Sequence, residues 1–230
     1  MPELPAHSVN LVAADLPYGT TAADWDKVID FQWLWAQYER LLVPGGTVVL
    51  TASQPFTSQL VMSKPKWFRY ELIWHKNTCT GFLQAKYRPM KAHENVLVFS
   101  PGRQTYNPQG VIPIHKRRSG HKNATPINSE IPGREYIQTL TNYPKSVLEF
   151  NSERGYHPTQ KPVAMMEWIV RTYSNAGETV LDNTMGSGST GVAAVKNHRS
   201  FIGIEMLENY FQIAQKRIER ASCPIHTSRQ

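Results

Sequence analysis

Asp15-Leu16-Pro17-Tyr18 gathers a carboxylate, a proline-restricted carbonyl and an aromatic ring into one short loop. That set suits a demanding reaction, alkylation of an amine whose lone pair is delocalised into an aromatic ring. Such an amine is a poor nucleophile until fixed oxygens accept its two hydrogens. Acceptance draws the nitrogen toward tetrahedral geometry and frees the lone pair. One carboxylate and one backbone carbonyl, held rigidly, suffice. Pro17 restricts Leu16 to an extended shape and so aims the Leu16 carbonyl. Tyr18 offers a face for stacking against a base taken out of a helix. In isolation the same residues also serve as a strand-ending turn, with Asp15 capping local amides and Tyr18 packing.

A second group lies near the other end of the chain. Thr179 to Gly191 reads strand, loop, helix, and Gly186, Gly188 and Gly191 spell G-x-G-x-x-G. Glu205 ends the next strand at about the separation expected for an acid that takes both ribose hydroxyls. The glycines allow a sharp turn and a close backbone approach to a ligand. No Gly-Lys-Ser/Thr ending follows, which argues against a phosphate-cradling P-loop. The glycine spacing is shared with NAD sites, so spacing alone leaves a dinucleotide open. Asp182, just before the loop, sits badly beside a diphosphate but suits the cationic amino-acid end of S-adenosylmethionine.

The elements that must position these groups follow from the pattern of apolar residues. Val9–Ala14 is a short apolar run ending at Asp15, which reads as a buried strand. Phe31–Leu42 has helical spacing, and Pro44-Gly45-Gly46 is expected to stop it. Thr47–Ala52 reads as a strand, and Gln54–Ser63 as a helix with Ser53 as its N-cap. Tyr70–Trp74 and Asn95–Phe99 are further strands. Regular order returns with a helix at Pro162–Tyr173, a strand at Thr179–Leu181, a helix at Ser189–Lys196, a strand at Ser200–Ile204 and a final helix at Leu207–Ala221. Alternating strands and helices predict an α/β sheet with helices on both faces. Ligands of such sheets bind at the carboxyl ends of the strands, where Asp15 and Asp182 both fall.

Between them, Pro101–Gly155 loses periodicity and carries six prolines, with eight Lys and Arg against four Glu. Its densest basic run, His115 to Lys122, offers Lys116, Arg117, Arg118 and Lys122 as phosphate contacts. Lys86, Arg88 and Lys91 around Tyr87 are further candidates. His93 and Glu94 read as local structure, since no nucleophile pairs with them. For Asp24-Trp25-Asp26 two readings stand equal, a mobile flap over the base or simple packing.

The chain's 230 residues suffice for one buried domain, and its net charge of +7 favours a polyanionic partner. No apolar run approaches a membrane span and the first residues lack a signal-peptide pattern, so a cytoplasmic location is expected. Cys79 and Cys223 are expected to be structural thiols, and no metal site is expected.

Asp15-Leu-Pro-Tyr18 resembles the catalytic motif of the DNA N6-adenine and N4-cytosine amino-methyltransferases, usually Asp/Asn/Ser-Pro-Pro-Tyr/Phe/Trp. His157-Pro158-Thr159-Gln160-Lys161-Pro162 is similar to the segment before the cofactor loop in that family's beta arrangement. There the catalytic motif comes first, then the target-recognition region, then the cofactor loop. The chain has that order, and the similarity covers essentially all of it, in the manner of phage or prophage enzymes.

The resemblance implies a Rossmann-like, mostly parallel sheet with an irregular inserted target-recognition region. It divides one domain, 1–230, into a catalytic part at 1–100, an insertion at 101–155 and a cofactor part at 156–230. It also implies methyl transfer from S-adenosylmethionine to adenine N6 of a base flipped out of double-stranded DNA, by a monomer or homodimer. Asp15 and the Leu16 carbonyl would hold the amine and Tyr18 would stack on the base. Asp182, Gly186 and Gly188 would border the methionine moiety, and Thr184, Ser187, Ser189 and Thr190 of the same loop would also bind the cofactor. Glu205 would bind the ribose, and Thr159 and Lys161 would line the pocket. Leu16 replaces the usual first proline, a departure its backbone role tolerates.

Two alternatives stand beside adenine N6. One is cytosine N4, whose enzymes more often carry Ser at the first motif position. The other is a non-catalytic DNA-binding homologue. Family members usually begin with a further strand carrying a Gly-Asp pair near the cofactor's adenine, and only a few residues precede Val9 here. A dinucleotide oxidoreductase would leave Asp15–Tyr18 and the basic insertion unexplained.

Overall fold

Val9–Asp15 forms β1, whose alternate side chains enter two different apolar layers. Val9, Val12 and Ala14 pack on one face of the sheet, Leu11 and Ala13 on the other. A strand buried on both faces is what the continuous apolar run demands. In the computed structural model, which describes residues 1–21, 23–119 and 135–223, β1 lies inside a seven-stranded sheet.

Helix α1 (Phe31–Leu41) begins at Asp30, whose side chain accepts the Trp33 amide at 2.8 Å. It buries Leu34, Trp35, Tyr38 and Leu41. Strand β2 (Leu42–Ala52) starts earlier than expected, at the residue that caps α1. Pro44-Gly45-Gly46 lies within it, and the pairing with β1 shifts register there, between Val9 and Leu11. Helix α2 (Phe56–Ser63) follows Pro55, which takes the cap position expected of Ser53. The Ser53 hydroxyl is engaged by Lys91 instead, while its carbonyl accepts the Thr57 amide at 3.2 Å.

The hairpin of β3 (Phe68–Thr80) and β4 (Lys91–Phe99) runs longer than its apolar cores at Tyr70–Trp74 and Asn95–Phe99. The expected irregular stretch 101–155 is not wholly irregular. It holds β5 (Ile112–Ser119), β6 (Glu135–Thr141) and β7 (Val147–Glu149). β7 joins the main sheet parallel to β3, whereas β5 and β6 form a separate antiparallel pair. The last third supplies α3 (Val163–Tyr173), β8 (Thr179–Asp182), α4 (Ser189–Lys196), β9 (Ser200–Gly203) and α5 (Glu208–Ser222).

The strand order is β7-β3-β4-β2-β1-β8-β9. β2, β1, β8 and β9 are mutually parallel, and β4 runs antiparallel to both its neighbours. Helices α1 and α2 cover one face, and α3 and α4 the other. The expected α/β sheet with helices on both faces is therefore present, mostly parallel and with an antiparallel strand at β4.

The chain divides into two compact units, one of residues 1–107 with 146–230 and one of Pro108–Lys145. No described helix is long and apolar enough to cross a membrane. Cys79 and Cys223 are free and exposed, so neither is the packed thiol expected.

Candidate active site

β1 and β8 are parallel neighbours, with Val12 opposite Leu181, so their carboxyl ends put Asp15 and Asp182 on one rim. A cavity of about 600 Å³ opens there, within the range of small-molecule sites. Asp15, Leu16, Pro17, Tyr18, Thr159, Lys161, Asp182, Thr184, Gly186, Ser187, Ser189, Thr190 and Glu205 all line it. Gly188 does not; it sits behind the loop, against α5.

Asp15 is held by three donors. Oδ1 accepts the Tyr18 hydroxyl at 2.7 Å and the Thr51 hydroxyl from the end of β2. Oδ2 accepts Lys161 Nζ at 2.5 Å. The Leu16 side chain is buried in the core, which leaves its backbone as the part that faces the cavity chemistry. Tyr18 stacks on Phe56 with centroids 5.2 Å apart, and burial followed by the Asp15 and Glu94 charges pushes its phenol well above the usual range.

Lys161 extends this set. Its ammonium lies 2.5 Å from Asp15 and 3.4 Å from Glu94 Oε2, and Glu94 is also paired with Lys76. Burial works against the Lys161 charge, but Asp15 and Glu94 outweigh it and hold its pKa above the ordinary lysine value. Burial likewise opposes ionisation of Glu94, and Lys161 and Lys76 reverse that, holding it below the carboxylate range. The result is an alternating row of charges, Asp15, Lys161, Glu94, Lys76, in which Lys161 is buried and the others half-buried. Glu94 was legible only as local structure, because its partner Lys161 is remote in sequence.

The glycine loop is tied to β1 by the Thr184 hydroxyl, which donates to the Asp15 carbonyl at 3.0 Å. Asn183 accepts the buried Tyr38 hydroxyl at 2.6 Å, anchoring the loop to α1. Gly186 (φ 51°) and Gly188 (φ 80°) adopt left-handed conformations. A Cβ on Gly188 would meet the Ala214 Cβ at 2.8 Å, so its absence lets α5 close on the loop. Arg217 of α5, which sequence patterning offered only as an amphipathic helix position, donates to the Ser187 carbonyl at 2.6 Å.

Two features of this loop point to a ligand. Asp182 is buried with no ion-pair partner among the described residues, and burial raises its pKa to about 7. Thr190 and Thr184 pull the other way, and the charges of Asp15 and Glu205 add to the rise. The Ser189 hydroxyl is buried without a hydrogen-bond partner. A buried acid without an ion-pair partner and an unsatisfied hydroxyl, both lining one cavity, fit a cationic, hydrogen-bonding group. Glu205 accepts the amides of Gly186 and Leu207, both at 2.9 Å, and this fixes its carboxylate on the cavity wall.

The remaining wall comes from Thr21, Asp24, Trp25, Asp26, Lys27 and Ile29 and from His157. Asp26 accepts the amides of Gly19, Thr20 and Thr21 at 2.7–2.9 Å. Burial opposes its ionisation, and these bonds with the Thr21 hydroxyl prevail, holding its pKa below the usual range. Of the two readings for Asp24-Trp25-Asp26, Asp26 organises the loop while Asp24 and Trp25 line the cavity. Burial holds the His157 pKa below the usual imidazole value, against the pull of Asp15 and Glu205, and its Nδ1 accepts the Thr159 amide at 3.2 Å. Among the described residues no cluster of His, Cys, Asp and Glu could hold a metal.

The basic run behaves differently. Lys116, Arg117 and Arg118 lie exposed on β5 in the Pro108–Lys145 unit. Arg117 is paired with Glu135, and Arg118 Nε donates to Gln138 at 3.0 Å. Lys122 lies outside the described residues.

Residues 9–216 match a family model described as DNA methylase, of the N6/N4 type. The chain is 28% identical to DNA adenine methyltransferase YhdJ of Escherichia coli (strain K12), over 96% of this chain and 79% of that one. It is 27% identical to the type II methyltransferase M.HpaI of Haemophilus parainfluenzae, over 94% and 70%. Its fold is similar to that of the M1.HpyAVI–SAM complex, with TM-score 0.62 and 27% identity over 91% of this chain and 89% of that one.

Proposed function

The chain belongs to the N6/N4 DNA methylase family, and from that premise we propose that it transfers a methyl group from S-adenosylmethionine to N6 of an adenine extruded from duplex DNA. One observation carries the reading: the Asp15 carboxylate shares a single cavity with Asp182 and Glu205, and Thr184 of the glycine loop bonds the Asp15 backbone carbonyl. Support for adenine comes from the acid at position 15 and from the adenine methyltransferase named among its relatives. Support for the cofactor comes from the unpaired Asp182 and Ser189, and from the complex named for M1.HpyAVI.

Bound S-adenosylmethionine supplies an electrophilic methyl group on a cationic sulfur. Asp182 would face its amino-acid end, and Glu205 its ribose. The rest of the chemistry belongs to this chain's own residues. A carboxylate has room for about four hydrogen bonds, and Tyr18, Thr51 and Lys161 take three on Asp15. The remaining site accepts one amine hydrogen and the Leu16 carbonyl the other. Transfer would form a nitrogen–carbon bond as the methyl–sulfur bond breaks and leaves a neutral thioether, and the surplus amine proton would pass to Asp15, the base in contact with it. Lys161 does not touch the amine; it positions Asp15, and Glu94 positions Lys161 in turn. Tyr18, backed by Phe56, supports the extruded base. The catalytic part before residue 100 and the cofactor part after 156 act together, with target recognition in the segment between them.

The decisive experiment incubates the protein with labelled S-adenosylmethionine and unmethylated duplex DNA and identifies the product nucleoside by mass spectrometry. N6-methyladenine is expected. N4-methylcytosine would overturn the base assignment, and absence of product from folded protein that binds S-adenosylmethionine would overturn the transfer itself.

A further inference from the structure

The β3–β4 hairpin ends in a turn, Gly81–Met90, in which every residue is exposed. Phe82 is 77% exposed, Leu83 94% and Tyr87 88%. Large apolar side chains gathered this way mark a surface that meets something. The turn is ordered by its own backbone, with amides of Gln84, Ala85, Tyr87 and Arg88 bonded to carbonyls of Gly81, Phe82 and Gln84 at 2.9–3.0 Å. Its charges are the exposed Lys86 and Arg88, and no acid occurs between Asn77 and His93.

Topology places this turn beside the chemistry. β4 is antiparallel to β2, with Asn95 opposite Ala52, so β4 begins at the rim where β1 and β2 end. Thr51 on that rim bonds Asp15, and Glu94 lines the cavity. The Thr80–Lys91 pair that closes the turn lies three residues beyond Glu94 along β4, about 10 Å at strand rise.

We propose that Gly81–Met90 enters duplex DNA beside the target nucleotide, with Phe82 and Leu83 filling the gap that base extrusion leaves in the stack and Lys86 and Arg88 on flanking phosphates. The proposal deepens the methyltransferase reading, since only an extruded target base leaves such a gap. Extrusion costs unstacking energy, and apolar side chains inserted between bases are a direct way to offset it. The combination of exposed apolar tips and basic flanks matches a polyanion whose apolar interior opens on distortion.

The test measures affinity by fluorescence anisotropy for a mixed-sequence duplex and for the same duplex with one abasic site, a gap that needs no recognition sequence. The protein is expected to prefer the gapped duplex about tenfold, the size of a single stacking contact. The Phe82→Ser/Leu83→Ser variant should lose that preference with its circular dichroism unchanged. Lys86→Ala/Arg88→Ala should weaken both duplexes equally and keep the preference. No preference in the parent protein, or an undiminished one in the serine variant, overturns the proposal. So does serine-sensitive binding to phosphatidylserine vesicles without a change on DNA, or a dimer in sedimentation that the serine variant dissolves. If the protein prefers the gap yet transfers no methyl group, the functional reading falls and this one stands; methyl transfer without gap preference sinks this one alone.

Discussion

Lys161 binds Asp15, the acid proposed to meet the target amine, and the half-buried Glu94 behind it. Without its cation the Asp15 carboxylate keeps only the Tyr18 and Thr51 bonds on Oδ1, leaving Oδ2 unheld, and small misplacements of a reacting group cost rate heavily. Lys161→Met should therefore lower the methyl-transfer rate about a hundredfold while the S-adenosylmethionine dissociation constant stays within about twofold. Lys161→Arg should recover part of the rate. Calorimetry beside single-turnover kinetics separates the two quantities, and parallel loss of both would make Lys161 a cofactor ligand instead. Asp182 makes the complementary case. Its folded-state pKa is raised to about 7, so the acid is protonated in the folded apo protein at pH values where an exposed carboxylate is ionised. Its burial thus costs stability as pH rises through that window. A bound cation favours the ionised form and drives the proton off. Titrations at pH 6 in buffers of different ionisation enthalpy should show release of about one proton on cofactor binding, and Asp182→Asn should abolish it. Unchanged proton release in that variant would remove Asp182 from the cofactor's surroundings.

The elements show which parts of a sequence speak and which stay silent. β1, β8 and the inner half of β2 announce themselves as apolar runs because both faces are covered. Those runs alone are enough to put Asp15 and Asp182 at strand ends on one rim. β5 and β6 carry no such signal, since none of their residues is buried, most are exposed, and burial imposes no alternation. Pro44-Gly45-Gly46 read as a helix stop because a strand interior rarely tolerates it; here it coincides with a register shift. Glu94 escaped for another reason: it acquires its role from Lys161, brought close by folding, and no local spacing encodes that. The third kind of information is close packing, and Gly188 tests it. Gly188→Ala adds a left-handed strain and a clash with Ala214, whereas Gly177→Ala adds only the strain, at φ 83° with open space around it. Urea unfolding should give a loss of about 1 kcal/mol for Gly177→Ala and roughly 1–3 kcal/mol more for Gly188→Ala, with weakened cofactor binding for the latter alone. Equal losses would mean α5 yields and the contact does not shape the loop.

At the scale of the whole molecule, the net charge of +7 is a statement about association, not about folding. Three of the cations in the middle of the chain sit together on β5, yet they are not equivalent. Arg117 is already paired with Glu135, so its charge is partly spent before any phosphate arrives. Lys116 keeps its charge, and Arg118 donates only to a neutral amide, at Gln138. If this hairpin meets the duplex backbone, the salt dependence should report two full contacts, each contributing about 0.9 to the slope of log affinity against log salt. Replacing Lys116, Arg117 and Arg118 together by Ala should flatten that slope by about two, without altering S-adenosylmethionine affinity. Glu135→Gln should act in the opposite sense, freeing Arg117 and steepening the slope by up to about one. Duplex titrations across a range of salt concentrations measure both changes. A triple variant whose slope matches that of the unaltered protein would place the hairpin away from DNA. A Glu135→Gln variant that leaves the slope unchanged would show that Arg117 faces no phosphate, whatever its neighbours do.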